Sequence, residues 1–211
     1  MTTSVPTAQH GLTEHSHGGW GVVPVQTRSE RFTSVDHAAF PAVTGREAEW
    51  RLTPVDRIRT LIDGELNGAP YTVEHADAAG VTVAWIDRGN ALIGRAGTPE
   101  ERASANAWSS FEKALHIRLE GESETLTLTR SSLDDTPRAA HTVITAEAGA
   151  TGLIVIDSRG AAHLSENLEI VLHDNANITV VSVQEWDNPA LHLASQFARI
   201  GRGANLKHIV V

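Results

Sequence analysis

The chain has 211 residues, 41% hydrophobic and 20% charged, which allows one domain with a substantial core plus extensions. Its net charge of −9 argues against a nucleic-acid partner or an anionic membrane surface, because both need clustered lysine and arginine. The absence of cysteine excludes a disulfide framework, a thiolate nucleophile and a cysteine-based metal site within this chain.

Residues 1–33 are predicted to form a flexible tail, since they combine glycine, serine and histidine with few aliphatic side chains. His10, His15 and His17 could chelate a metal loosely, although a solvated tail explains the same residues. No apolar run reaches the length of a membrane span, and no basic stretch precedes an apolar one at the start. We therefore expect a cytoplasmic protein.

Residues 34–114 are predicted to form a small mixed α/β segment. A helical turn is expected over residues 35–40, and residues 46–51, REAEWR, are expected to end a helix that docks Trp50. Residues 53–56, TPVD, predict a helix start capped by Thr53, and Gly64 is the expected end.

A second helix is predicted to start at residues 98–101, TPEE, and to carry Ala103, Ala107, Trp108 and Phe111. Strands are expected at 71–74 and 81–86 before that helix. From residue 115 onwards the pattern predicts almost only strands, at 115–119, 125–129, 142–146, 153–157, 168–172, 178–183, 191–197 and 206–211. Since no helix of useful length separates these strands, a doubly wound α/β sheet is excluded.

An internal repeat lies in the strand-rich region. Segments 143–155, 169–181 and 197–209 align without gaps, each with a strand, a turn, an alanine and a second strand. The aligned alanines are Ala150, Ala176 and Ala204. Small residues fit the sharp corners of a solenoid, and Gly149, Asn175 and Gly203 supply the backbone freedom that corners need.

The repeat predicts a mainly β protein: a parallel β-helix over residues 115–211, preceded by the mixed segment. The handedness expected for parallel crossovers is right-handed. An antiparallel sandwich or jelly roll is the alternative, because its turns also recur. The last strand has no capping element after it, so we expect another subunit or further sequence to cover that end.

Catalytic signatures are not found: there is no G-x-S-x-G, H-E-x-x-H, Walker A or G-x-G-x-x-G motif. Residues 134–137, DDTP, are expected to form a turn. Some β-helical lyases hold calcium with clustered acids, but the acids here, Asp157, Glu166, Glu169 and Asp174, are spread over separate strands and turns. His192 and His208 are expected on different faces or corners, which disfavours a metal site formed by the two. We therefore assign no catalytic, cofactor-binding or metal residue.

The segment from about residue 34 to 211 resembles the SufB/SufD family. The likeness is carried by Phe40-Pro41 followed by REAEWR (46–51), by ENLEIVL (166–172) with NANIT (175–179), and by ARIGRGANLKH (198–208). The resemblance implies a parallel β-helix core and a role as a scaffold subunit of the SUF iron–sulfur cluster assembly complex, not an enzyme. The absence of cysteine resembles the SufD branch more than SufB.

The resemblance also implies partners and cargo. It implies SufB-like and SufC-like subunits, contacted through regions after Val211, with ATP hydrolysis in the SufC-like partner. It implies no cofactor held by this chain, and an iron–sulfur cluster present only transiently within the complex. A β-helical carbohydrate-binding or carbohydrate-active protein is the alternative function, although aromatic residues make up only 5% of the chain.

Overall fold

A computed structural model of the chain describes residues 31–131 and 133–211, together with the backbone of two short strands. These strands, β1 (Leu12–Thr13) and β2 (Val23–Pro24), pair antiparallel. The three histidines His10, His15 and His17, and nearly all of the predicted tail, lie outside the described residues. The larger compact unit, Thr33–Val211, contains the remaining elements.

The first of these elements are short. A 3-10 helix spans His37–Ala39, and the first α-helix, α1, spans Val55–Asp63. The helical turn predicted over residues 35–40 is therefore only one 3-10 turn. Phe40 is already extended, as expected for a residue before proline. Residues 47–52 form turns and not the predicted helix end, although the Trp50 indole does pack on a core cluster.

Helix α1 confirms the predicted buried stripe, because Val55, Ile58, Leu61 and Ile62 all point into the core. The predicted cap, Thr53, is wrong. Pro54 occupies the N-cap position, and no side chain accepts a capping hydrogen bond from the backbone N–H groups of the first turn. The helix ends at Gly64, whose backbone N–H donates to the carbonyl of Thr60 as predicted for an end at this glycine.

The second helix, α2, spans Arg102–Ser110 and begins four residues after the expected start at Thr98. Its cap is Glu101, which is extended and whose carboxylate accepts from the backbone N–H groups of Ala103 and Ser104. A carboxylate at this position satisfies two free donors and complements the helix dipole. Phe111 follows the last helical residue.

Ten strands build the body of the larger unit. They are β3 (Glu74–His75), β4 (Val81–Asp87), β5 (Lys113–Leu119), β6 (Leu126–Arg130), β7 (Asp134–Ala146), β8 (Thr151–Gly160), β9 (Ala162–Leu172), β10 (Asn177–Trp186), β11 (Leu191–Ile200) and β12 (Asn205–Val210).

The strands form two five-stranded sheets. The first sheet has the order β11-β9-β7-β5-β4, and the second has the order β12-β10-β8-β6-β3. From β5 onwards all neighbours pair parallel, so the chain passes alternately from one sheet to the other in four rungs. The predicted parallel β-helix is confirmed. At its start, β4 and β3 add to β5 and β6 antiparallel.

The corners of the rungs follow the sequence repeat. Gly149, Asn175 and Gly203 all have positive φ, at 73°, 61° and 69°, which is the left-handed region that favours glycine and asparagine. The alanines that follow them stack: the carbonyl of Ala150 accepts from Asn177 N–H and that of Ala176 from Asn205 N–H, each at 2.8 Å. The repeat therefore records successive corners of the solenoid.

Aliphatic side chains fill most of the space between the sheets. In the first sheet, Ile117, Ile144 and Ile170 occupy matching positions on three successive strands, and all are buried. In the second sheet Ile154 and Val180 match in the same way. The predicted turn at residues 134–137 is wrong: Asp134 instead begins β7, with an irregular register before Pro137.

Candidate functional site

The acids considered as calcium ligands are separate in space. Asp157 pairs with Arg159 at 2.7 Å, and Asp174 accepts from the backbone N–H of Arg202 at 2.9 Å. Glu166 and Glu169 each belong to a different buried cluster. Across residues 31–131 and 133–211, no three His, Asp or Glu side chains converge as a metal site would require.

His192 and His208 also have different surroundings. His192 lies within 2.7 Å of a Glu166 oxygen, on β11 in the first sheet. His208 lies on β12 in the second sheet, with its Nε2 3.4 Å from Ser182 Oγ. Burial lowers the pKa of His208 below its ordinary value.

The main polar feature between the two sheets is an ion cluster, named here the inner cluster. Its members come from five different strands: Arg130 (β6), Ser158 (β8), Glu166 (β9), Trp186 (β10) and His192 (β11). The side chains of Arg130, Glu166 and His192 are only 6–8% exposed. A buried charge is tolerated only when a counter-charge and hydrogen-bond partners lie close to it. The distances within this cluster therefore decide whether it stabilises or destabilises the fold.

Arg130 and Glu166 form a two-pronged pair. The Nη1 and Nη2 atoms of Arg130 donate to the two carboxylate oxygens of Glu166 at 2.6 and 2.7 Å. The remaining donor direction is also used, because Arg130 Nε donates to Ser158 Oγ at 2.7 Å. The guanidinium also lies 5.7 Å from the centre of the Trp186 ring, within reach of a cation–π contact.

The tautomer of His192 follows from its two neighbours. Trp186 Nε1–H can only donate, and it lies 3.3 Å from His192 Nδ1, so Nδ1 is the acceptor. His192 Nε2 therefore carries the proton and donates to Glu166 at 2.7 Å. Both ring nitrogens of His192 are therefore engaged.

Arg130 and Glu166 each stabilise the charged form of the other. Burial alone would raise the pKa of Glu166, but the Arg130 guanidinium outweighs it and holds that pKa well below the ordinary value. Burial opposes the charge on Arg130 in the same way, and the Glu166 carboxylate reverses this and raises the pKa of Arg130. At neutral pH both groups are therefore charged.

A small cavity of about 10 Å³ adjoins the inner cluster. Besides the ionic groups its lining includes Ser182, Gln184 and Gln196, from β10 and β11. A cavity of this size with polar walls suits a single water molecule and is too small for an organic substrate. The inner cluster is therefore not a binding pocket for a sugar or a nucleotide.

A second buried cluster lies on the outward side of the first sheet, under the N-terminal segment. Glu169 is fully buried and its carboxylate accepts from the backbone N–H groups of Gly94 and Ala96 at 2.8 and 3.0 Å. It also accepts from His141 Nε2 at 2.9 Å. Glu169 therefore fastens the loop between β4 and α2 to the sheet.

His141 is enclosed by aromatic side chains. Its ring centre lies 4.5 Å from that of Trp108, edge to face, and 4.4 Å from that of Phe111. Next to it, Ser104 of α2 donates to Asn167 of β9 at 2.5 Å, and the Asn167 amide donates back to the Ser104 carbonyl at 3.0 Å. These contacts set the position of α2 on the sheet.

The chemistry available from these groups is limited. The carboxylate oxygens of Glu166 and Glu169 are all engaged by hydrogen-bond donors. The geometry points to groups that hold strands, rungs and loops in place.

Sequence reasoning missed the inner cluster. Glu166 and His192 were considered only as metal ligands, and Arg130 was not singled out. A signal exists in the repeat: Arg130, Ser158 and Gln184 occupy matching inward positions on β6, β8 and β10, where the positions before them are mostly aliphatic. Reading the alternation of each strand in register would have found this polar column.

No helix in the described residues is long and apolar enough to cross a membrane.

Comparison with known proteins gives a consistent result. Residues 128–211, which contain β7 to β12, match the model of a family described as SUF system FeS cluster assembly, SufBD core domain. A protein of Mycobacterium tuberculosis (strain ATCC 25618 / H37Rv) named as an iron–sulfur cluster assembly SufBD family protein is 31% identical over 189 residues. That alignment covers 87% of this chain and 48% of the relative.

Two further relatives bear the same family name. The one from Mycobacterium bovis is 31% identical over 189 residues, with the same coverage of 87% and 48%. The one from Mycobacterium leprae is 31% identical over 186 residues, covering 85% of this chain and 47% of the relative. The chain thus spans about half the length of the curated relatives it matches. No solved structure matches it.

Proposed function

Because this chain belongs to the SufB/SufD family of iron–sulfur cluster assembly proteins, we propose that it acts as a SufD-type scaffold subunit of a SUF complex. In this proposal it works in the cytoplasm with a SufB-like subunit and a SufC-like ATPase. The iron–sulfur cluster is the cargo of the complex and is present only transiently.

The observation that carries the proposal is the coincidence of family match and fold. The matched residues 128–211 form the parallel rungs that hold the inner cluster. Rungs of a parallel β-helix that are cross-linked by buried ionic contacts make a rigid body, which suits a subunit whose task is to position partners. The cavity beside the inner cluster, at about 10 Å³, is too small for an organic substrate.

A role without catalysis of its own is part of the proposal. The carboxylates of Glu166 and Glu169 accept hydrogen bonds from arginine, histidine or backbone donors. Neither carboxylate is therefore placed to act as a general acid or base. ATP hydrolysis is assigned to the SufC-like partner, with contacts to it in sequence after Val211, as the resemblance implies.

The SufD-type assignment rests on the cysteine count. Nascent clusters are held by thiolates in most iron–sulfur sites, and none of the 211 residues is a cysteine. A cluster ligand from this chain would have to be histidine, aspartate or glutamate. The proposal therefore places any thiolate ligand of the cluster outside these 211 residues.

The test is co-purification. Affinity-tagged SufB-like and SufC-like subunits from the same organism are incubated with the full-length gene product and, separately, with the 211-residue chain. Capture of the full-length product at a fixed stoichiometry, with bare resin as control, is the expected result. Failure to capture either form, when both are shown to be folded by circular dichroism, would overturn the SUF assignment.

A further inference from the structure

Strand β4 (Val81–Asp87) has one unpaired edge. It is the outermost strand of the first sheet and pairs antiparallel with β5 alone. Just before the strand, the backbone N–H of Glu120 donates to the carbonyl of Gly80 at 2.9 Å, so the even-numbered residues of β4 are the ones that bond to β5. The N–H and C=O groups of the odd-numbered residues therefore point away from β5, towards the free edge.

Six of these edge groups have no partner within residues 31–131 and 133–211. They are the N–H and C=O of Val83, the N–H and C=O of Trp85, the C=O of Val81 and the N–H of Asp87. The two remaining edge groups are already bonded. The N–H of Val81 donates to the carbonyl of Ala78 at 3.1 Å, and the carbonyl of Asp87 accepts from the N–H of Asn90 at 2.8 Å. Unpaired backbone groups on an edge strand form a template for another extended strand.

The edge of β4 lacks the features that keep edge strands apart. The strand has no proline, lysine or arginine, and its register with β5 runs through all seven residues without a bulge. Its one charged side chain, Asp87, stands at the end. The side chain of Ala84 in the middle is exposed. A cleft of about 200 Å³ borders Val81, Thr82 and Val83, so the described chain leaves open space beside this edge.

The six free groups are self-complementary. If a second β4 lies antiparallel about a two-fold axis at Ala84, Val83 of each copy stands opposite Trp85 of the other, and each of these pairs exchanges two hydrogen bonds. The C=O of Val81 then meets the N–H of Asp87 of the other copy. The two groups that are already bonded, Val81 N–H and Asp87 C=O, also face each other, so neither needs a new partner.

Other registers of the same pairing fit less well. Moving the second strand by two residues in one direction sets the free C=O of Trp85 against the Val81 N–H, which is already bonded. Moving it by two residues in the other direction sets the free N–H of Val83 against the Asp87 carbonyl, which is also already bonded. The bonding state of the edge therefore selects the axis at Ala84.

The side chains agree with this register. Val83 and Trp85 both face the interior and are partly buried, and a β-branched residue opposite an aromatic one stabilises antiparallel strands. Ala84 stands opposite itself, where its small side chain allows the strands to approach. Asp87 stands opposite Val81, so no like charges oppose each other across the axis.

We propose that the β4 edge pairs with the β4 edge of a second copy, antiparallel about Ala84, so that the first sheets of the two copies join into one sheet of ten strands. The occupant is a strand because these backbone groups, at strand spacing, are satisfied by another extended backbone. It is a second copy because free and bonded groups at the two ends of the edge match each other in reverse order. The inference goes beyond the proposed scaffold role and does not depend on it.

Disulfide formation at residue 84 tests this register. The 211 residues contain no cysteine, so Ala84→Cys introduces one thiol, whose Cα would lie about 4.5 Å from its counterpart in a non-hydrogen-bonded pair. Thr82→Cys is the matched control on the same face, because the two copies of residue 82 would lie four residues apart, roughly 14 Å. Each variant of the full-length gene product is oxidised mildly, and linked peptides are identified by mass spectrometry. The expected result is an 84–84 linked peptide and no 82–82 linked peptide.

A second variant removes one hydrogen-bond donor from the edge. Val83→Pro deletes an N–H that faces away from β5, so the bonds to β5 are kept, and proline is tolerated at such edge positions. The unmodified protein is expected to sediment as a dimer in analytical ultracentrifugation. Val83→Pro is expected to weaken the dimer at least tenfold with an unchanged circular dichroism spectrum. Val83→Thr keeps the N–H and the β-branched shape, and it should dimerise as the unmodified protein does.

Three results would overturn the inference. The first is a protein that sediments as a monomer at every soluble concentration. The second is a dimer that Val83→Pro leaves intact and that gives no 84–84 linked peptide, because such a dimer uses another surface. The third is a mixed disulfide between residue 84 and a SufB-like subunit without any 84–84 product, which names a different occupant. None of these results bears on the SUF assignment, which co-purification tests.

Discussion

Glu166 on one sheet and Arg130 on the other meet across the interior of the β-helix, joined by two hydrogen bonds of 2.6 and 2.7 Å. The pair links β9 to β6, and through His192 and Ser158 it extends to β11 and β8. Successive rungs are held together by the backbone hydrogen bonds within each parallel sheet. The Arg130–Glu166 pair adds a fixed distance between the two sheets, which backbone hydrogen bonds do not provide.

Removing one member of this pair should destabilise the fold strongly. Glu166→Leu leaves the Arg130 guanidinium buried without its counter-charge, and losses for such changes are about 3–5 kcal/mol of unfolding free energy. Urea denaturation followed by circular dichroism measures this loss. Glu122→Leu, at an exposed acid, is the control and is expected to change stability by less than about 0.5 kcal/mol.

The double variant Arg130→Leu with Glu166→Leu separates a charge effect from a packing effect. Since buried ion pairs can often be replaced by apolar side chains at little cost, it should be more stable than Glu166→Leu alone. A double variant that loses as much unfolding free energy as Glu166→Leu, or as much as the sum of the two single variants, would contradict the account of a coupled pair.

Acid should unfold the protein partly through Glu166. Its pKa is held below the ordinary value of 4.5 because Arg130 outweighs the effect of burial. A group with a lowered folded pKa contributes stability that is complete above its unfolded pKa and is lost as the pH falls towards the folded value. Unfolding free energy should therefore decline from about pH 5 downward.

The comparison for this pH dependence is Glu166→Gln, which cannot ionise. Its unfolding free energy is expected to be lower at pH 7 and to fall less steeply between about pH 5 and pH 3. Parallel slopes for the two proteins over that interval would show that Glu166 ionises alike in the folded and unfolded chains.

Replacing the glycines at the corners of the rungs by alanine should lower the stability of the fold. Gly149 and Gly203 both have positive φ, but an added Cβ at Gly149 would meet nothing, whereas at Gly203 it would lie 2.5 Å from Asn175 Oδ1. Gly149→Ala should cost about 1–2 kcal/mol from backbone strain alone, and Gly203→Ala should cost at least as much, with the Asn175 side chain displaced. Both losses are read from chemical denaturation.

Gly89 is the control for these corners, since its φ lies outside the left-handed range and no atom lies within 4 Å of an added Cβ. Gly89→Ala should leave stability unchanged or slightly raised. A Gly203→Ala variant as stable as Gly89→Ala would show that the corner does not depend on the left-handed conformation.

Glu169→Gln should loosen the loop that precedes α2. The amide of glutamine offers one acceptor oxygen where the carboxylate offers two, so the N–H of Gly94 or of Ala96 loses its partner. Hydrogen bonds to charged groups contribute about 1.5–3 kcal/mol, so amide exchange at these residues should rise about tenfold or more. Unchanged exchange at both amides would contradict the role assigned to Glu169, and Glu122→Gln serves as the control.

The solenoid was predictable from sequence because its signal is local and repeated. Ala150, Ala176 and Ala204 mark successive corners, and the strands between them show the expected alternation. The pairing of β3 and β4 with the first rung was not predictable. These two strands pair antiparallel at the start of the solenoid, so they are not part of the sequence repeat. The late start of α2 was missed because Glu101, and not Thr98, supplies the capping oxygens.

The inner cluster was harder to predict for a different reason. Arg130 and Glu166 are 36 residues apart and lie on opposite sheets. Their contact depends on the register of both sheets and on the width of the corner between them. A sequence repeat aligns positions within one sheet, as for Arg130 with Ser158, but does not say which position faces it across the interior.

The central claim, a scaffold role in iron–sulfur cluster assembly, is tested most directly by the cluster content of the partner complex. SufB-like and SufC-like subunits are co-expressed with and without the full-length protein, and iron and acid-labile sulfide are measured per purified complex. The account predicts stoichiometric iron and sulfide in its presence and a severalfold loss in its absence. Equal iron and sulfide in the two preparations, with the protein present in one of them, would contradict it.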